Sequence, residues 1–145
     1  MIYTEQTKQA MKLAYDMHHG QTDRSGLPYI HHVLHVAEQM PDEITTVAAL
    51  LHDIVEDTTL TLDELYAKGF PPEVVEAVRC LTRDPNMSYM DYIDALHDNP
   101  IAVNVKLADL EHNRDLTRLK RVSQKDILRA RKYQAAINFL QMRSK

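Results

Sequence analysis

Apolar residues recur at helical spacing along nearly the whole chain, and no stretch alternates as a strand does. Thr4 to about His19 predicts a first helix, and Tyr29 to Met40 a second, closed by Pro41. Between them Gly20-Gln21-Thr22-Asp23-Arg24-Ser25-Gly26-Leu27-Pro28 is the longest polar loop. Glu43 to about Glu56 predicts a third helix that is apolar on almost every side, which marks it for burial. Thr61-Leu62-Asp63-Glu64 reads as a capping box that opens a short helix, and Gly69 can end it. Pro72, at a tolerated first-turn position, opens a helix to about Thr82. Ser88-Tyr89-Met90-Asp91 starts another, ended by Asn99-Pro100. Pro100 to about Arg114 follows, and Ser123-Gln124-Lys125-Asp126 caps a long last helix toward Met142. The expectation is an all-α fold, a compact bundle of seven or eight helices, in one domain over residues 1–145.

One segment breaks its own pattern. Ala48-Ala49-Leu50-Leu51-His52-Asp53-Ile54-Val55-Glu56-Asp57 sets an adjacent His-Asp pair into the apolar third helix. A buried carboxylate is costly unless it is paired or bound to a metal. In a continuous helix His52 and Glu56 stack on one face, and Asp53 and Asp57 on the neighbouring ridge. Four polar groups then converge at one end of the helix. The competing reading, a buried ion pair between Asp53 and an arginine, makes an expensive cluster for stability alone.

A second stripe lies in Val103-Asn104-Val105-Lys106-Leu107-Ala108-Asp109-Leu110-Glu111-His112-Asn113. Lys106, Asp109 and Asn113 share a face, which suits a metal ligand beside a phosphate or sugar contact. A surface Lys106–Asp109 salt bridge is the plainer alternative. Pro28-Tyr29-Ile30-His31-His32-Val33-Leu34-His35 holds three histidines in five residues. His32 and His35 share a face, and spacing leaves the choice between them open.

Composition narrows the classes. The 145 residues suffice for one domain with a real core, with 44% hydrophobic and 26% charged residues. Lys+Arg 17 against Asp+Glu 21 leaves a net charge of -4 with no block of like charge, so duplex nucleic acid is not an expected partner. A single cysteine, Cys80, excludes an intrachain disulfide and reads as a small buried hydrophobe. Only three glycines occur, which excludes Rossmann and P-loop phosphate cradles. The polar N-terminus is unlike a signal peptide, and no run reaches the roughly 20 apolar residues of a membrane span. A cytoplasmic protein without membrane association is expected.

The order His32, His52-Asp53, Asp109 is similar to the H…HD…D pattern of the HD metal-dependent phosphohydrolase superfamily. Pro28-Tyr29-Ile30-His31-His32 resembles the PYIxH element of the RelA/SpoT-type (p)ppGpp hydrolase domain. Ala48 to Thr58 resembles its AALLHDxVEDT element, and Val105 to Asn113 its VKLADxxxN element. The resemblance runs from about residue 5 to residue 140. It implies an HD-domain helical bundle in which His32, His52, Asp53 and Asp109 ligate one divalent metal, usually Mn²⁺. Two imidazoles and two carboxylates, with no thiolate, agree with such an ion. It also implies that Glu56 and Asp57 are the catalytic carboxylates, that Asn113 contacts substrate, and that Arg24 and Lys106 flank the ligands. His31 and His35 should lie outside the ligand set.

The sequence departs from that pattern in places. The family's loop before the PY element commonly carries a basic pair; here Arg24 remains and Asp23 replaces a basic residue. Val33 replaces the usual proline, and Leu110-Glu111-His112 replaces a basic and aliphatic run. An acid in a phosphate-binding loop is expected to repel a polyphosphate if it faces the pocket. His18, His19, His97 and His112 read as surface or supporting groups, and the tyrosines and methionines as core.

The implied activity is removal of the 3′-pyrophosphate from guanosine tetra- or pentaphosphate, a phosphorylated nucleotide substrate. The length leaves no room for a synthetase domain as well. A phosphohydrolase for another nucleotide or phosphorylated cofactor is the alternative that Asp23 supports. A non-catalytic nucleotide-binding regulatory module is the alternative that the Glu56-Asp57 pair opposes.

Overall fold

The computed structural model describes residues 1–143. Nine α-helical segments follow in chain order: α1 Glu5–Met17, α2 Ile30–Glu38, α3 Glu43–Leu51, α4 Ile54–Asp57, α5 Leu62–Ala67, α6 Pro72–Leu81, α7 Tyr89–Leu96, α8 Pro100–Asn113 and α9 Gln124–Arg143. A 3₁₀ turn, Leu116–Arg118, joins α8 to α9. Among the described residues the only strand-like pairing is an isolated bridge between Thr22 and Pro28. Among the described residues no helix is long and apolar enough to cross a membrane.

Short polar side chains start these helices by accepting the N–H groups that a helix N-terminus leaves over. Thr4 does so for α1 with Thr7 answering, and Thr61 for α5 with Glu64 answering. Asp42, Ser88 and Asn99 cap α3, α7 and α8. Ser123 and Asp126 exchange bonds at the start of α9. Gly69 ends α5 at φ +90°, a conformation that a Cβ would strain.

The helices expected from the sequence are present, but the third is interrupted. In a regular helix the Ala49 carbonyl would accept the Asp53 N–H. Here the His52 ring takes it, with Nδ1 at 2.6 Å, and the His52 N–H also tightens onto it at 3.4 Å. Asp53 turns to φ -105°, ψ 1°, and α4 restarts after it. The stacking expected of His52 with Glu56 therefore gives way to a corner.

The segment from Thr45 to Leu51 is buried on every side. It packs against α1, α2, α6 and α8, while α9 covers α8. The helix at the centre of the molecule thus ends at His52-Asp53, and the core delivers that pair to the foot of a cavity.

Candidate metal centre

His32 on α2, His52 and Asp53 at the corner after α3, and Asp109 on α8 each offer one ligand atom. Those four atoms lie within 4.8 Å of one another. His32, His52 and Asp109 are buried and Asp53 partly so. His52 carries its proton on Nδ1, because the Ala49 carbonyl can only accept. That leaves Nε2 facing Asp53 Oδ2 at 2.9 Å and Asp109 Oδ1 at 3.6 Å, yet Nε2 has no hydrogen-bond partner. An unpartnered buried imidazole nitrogen beside two carboxylates fits a ligand to a divalent cation. Burial pushes the His52 imidazole down, but Asp53 and Asp109 outweigh it and hold its pKa well above the ordinary value. The field that favours a proton there also favours a cation.

His32 is oriented from behind. Its Nε2 is 2.9 Å from Asp109 Oδ1, and its Nδ1 is 2.7 Å from His112 Nδ1. Burial, then the charges of Arg118, His32 and His35, push the His112 imidazole down to about 4. A neutral His112 can accept the proton on His32 Nδ1 and so turn His32 Nε2 toward the cluster. His35 stacks on His112 with ring centroids 3.9 Å apart and lies outside the four-residue cluster, and His31 faces a separate, largely apolar cavity. Of the two histidines that spacing left open, the cluster contains His32 and not His35.

Asp109 is the most heavily bonded member. Lys106 Nζ donates to Oδ2 at 2.9 Å, and Asn113 Nδ2 donates to Oδ1 at 2.9 Å. Burial raises its carboxyl, but Lys106 and the two imidazoles hold it well below the usual carboxylate range. The Lys106–Asp109 salt bridge is present, with Asp109 buried and Lys106 partly so, and does not lie at the open surface. Such a pair is retained where it positions a group as readily as for stability.

A cavity of about 450 Å³ opens over the cluster. Glu56 and Asp57 line it from α4, and Arg24, Lys106 and Asn113 line it as the sequence suggested. Burial, then the charges of Asp53 and Asp57, raise Glu56; burial, then Asp53, raises Asp57. Arg24 is exposed, and its Nη1 reaches Tyr133 Oη at 3.4 Å.

Other lining residues were not legible in the sequence. Tyr29, quoted above only as part of a motif, donates its hydroxyl to Asp53 Oδ2. Burial, then Asp53, hold that phenol protonated far above its ordinary pKa. Arg118, Arg129 and Tyr133 join the wall from the 3₁₀ turn and α9. No periodicity distinguished Arg118 and Arg129 from surface residues, and Tyr133 read as core.

Asp23 corrects an expectation. It lines the cavity, but both of its oxygens are engaged. Oδ1 accepts from Ser25 N at 2.9 Å, Ser25 Oγ at 2.5 Å and Leu27 N at 3.1 Å, and Oδ2 accepts from Arg118 Nη2 at 3.0 Å. Its charge is matched within the protein and is not a free repulsive charge toward an anion.

Residues 10–102 match a family model described as HD domain. The chain is 38% identical over 121 residues to the bifunctional (p)ppGpp synthase/hydrolase SpoT of Escherichia coli, an alignment covering 73% of this chain and 17% of that protein. It is 41% identical over 108 residues to the human guanosine-3′,5′-bis(diphosphate) 3′-pyrophosphohydrolase, covering 66% of this chain and 60% of that one. The chain thus spans less than a fifth of the bacterial relative and about three fifths of the human one. A solved structure of a metazoan ortholog of SpoT, described as hydrolysing ppGpp, superposes with a TM-score of 0.79 at 25% identity. That match covers 97% of this chain and 87% of the other.

Proposed function

The chain belongs to the HD-domain family, and from that premise we propose that it is a metal-dependent pyrophosphohydrolase acting on guanosine tetra- or pentaphosphate. One observation carries the reading: four N and O ligand atoms converge, and three of the residues that offer them, His32, Asp53 and Asp109, line a cavity that Glu56 and Asp57 also line. The names of the bacterial and human relatives support the choice of substrate.

In this reading His32, His52, Asp53 and Asp109 hold one divalent cation, Mn²⁺ in preference, and the setting is cytoplasmic. A cation held there would supply Lewis acidity toward a phosphoryl oxygen and lower the pKa of bound water. The reaction breaks the bond between O3′ of the ribose and the nearer phosphorus of the 3′-diphosphate. Water adds to that phosphorus, and the products are pyrophosphate and a nucleotide with a free 3′-hydroxyl. The protein has two proton transfers to manage, one from water and one to the departing O3′. Glu56 and Asp57 are the groups for both. Burial, then the charge of Asp53, raises both carboxyls above their ordinary values, the direction that favours holding a proton. Lys106 and Asn113 orient Asp109 and keep further N–H groups for substrate oxygens. Arg24 grips a phosphate at the rim with paired donors.

The test is incubation of Mn²⁺-loaded protein with guanosine tetraphosphate and quantitation of products. Equal amounts of GDP and pyrophosphate are expected. Turnover of another phosphorylated nucleotide instead would move the activity to the broader phosphohydrolase reading. Binding without turnover of any nucleotide would leave the regulatory module.

A further inference from the structure

We infer that Arg118 is a positioning residue for substrate recognition, clamping the 20–28 loop and its Arg24 to the C-terminal end of α8. The inference rests on the reading of Arg24 as a phosphate contact.

The clamp is built at both ends of one guanidinium. Arg118 Nη2 donates to Asp23 Oδ2 at 3.0 Å, and Nη1 donates to the His112 carbonyl at 2.9 Å. The Asp23 side chain is 7% exposed and that of Arg118 20%, so this pair is not screened as a surface pair is. Asp23 is in turn the hub of its loop. Besides gathering Ser25 and Leu27 through Oδ1, its own N–H donates to the Leu27 carbonyl at 2.8 Å. Anchoring Asp23 therefore anchors the loop backbone from Asp23 to Leu27. Asp115 fixes the other side, accepting from the Thr117 N–H at 3.0 Å to hold the 3₁₀ turn that presents Arg118.

What the clamp holds is Arg24. Its side chain is exposed, and its one bond to α9, at 3.4 Å, is long. The direction in which Arg24 projects over the cavity is thus set by the loop, which Gln21 Nε2 ties to the Asp57 carbonyl at 2.9 Å and Arg118 ties, beside Arg24, to α8. The same guanidinium bonds the backbone of His112, whose ring backs His32. A single residue of the 3₁₀ turn registers the substrate rim against the helix that carries Asp109. The acid at position 23 is then part of the recognition apparatus, and replacing it with a lysine should weaken substrate binding.

The test compares wild type, Arg118→Ala, Asp23→Asn and the double variant, each loaded with Mn²⁺. Asn at position 23 keeps an acceptor for the Ser25 and Leu27 N–H groups and removes the ion pair. Each single variant should raise KM for guanosine tetraphosphate about tenfold, as for loss of a charge-assisted hydrogen bond. The kcat and the Mn²⁺ content should hold, and the double variant should be little worse than either single one. Additive effects, or kcat and metal content falling while KM holds, would overturn the clamp. Absence of turnover in the wild type would refute the substrate reading instead. Hydrogen exchange at residues 20–28 then decides without substrate: faster exchange in Arg118→Ala supports the clamp, and unchanged exchange refutes it.

Discussion

At the foot of the cavity the polar side chains come from helices packed into the core, whereas at its rim they come from a loop, a 3₁₀ turn and α9. His52 follows a helix buried on every side, and His32 and Asp109 are themselves buried. Their positions are fixed by apolar packing that tolerates little change. At the rim, Asp23 meets Arg118 across 95 residues of sequence, and Arg24 is exposed. Apolar packing positions the foot, and a few polar bonds position the rim. Metal binding should therefore track the fold, while substrate affinity should be adjustable with the fold intact.

The largest effect should come from the foot. His52→Ala or Asp53→Ala should bring Mn²⁺ content and hydrolysis to background together, measured by elemental analysis and product release. Retention of metal in both variants would break the contrast, because the ligands would then lie elsewhere. Glu56→Ala or Asp57→Ala should lower kcat by about 10²–10⁴, the range for a lost proton-transfer group, with metal content largely spared. Parallel loss of metal would make these residues ligands or structural groups.

Behind the ligands, His112→Ala removes the acceptor for His32 Nδ1. Metal affinity should fall roughly 10–100-fold, as for other groups that orient a ligand, with a chelator competition as the measurement. In the core, Leu51→Ala deletes a fully buried side chain and should cost about 2–5 kcal/mol by denaturant unfolding. By contrast Leu27→Ser, at an exposed position of the loop, should stay within about 0.5 kcal/mol. A large loss there would mean that the rim shares in the core.

The same contrast explains what the sequence disclosed. His52-Asp53 stood out because the surrounding residues are apolar on every side, so the polar pair had no ordinary reason to be there. Asp109 stood out for the same reason, and His32 emerged from its neighbours through motif resemblance. The break after Leu51 was invisible because it arises from one ring nitrogen taking a backbone carbonyl, which no periodicity records. The specific partners of His112, read only as a surface or supporting group, and of Arg118 were not legible because they are distant in sequence, across 80 and 95 residues. Asp23 was misread as a free charge because its matching cation comes from another element. The fold was legible in the helix caps and the apolar spacing, with the third helix as the exception.

The most direct test of the account is to locate the metal. A crystal of the protein grown with Mn²⁺, measured at the manganese absorption edge, should show one anomalous peak among His32, His52, Asp53 and Asp109. That peak should be within bonding distance of one atom from each residue. A peak coordinated by other residues, or none at this cluster while the protein hydrolyses its substrate, would contradict it.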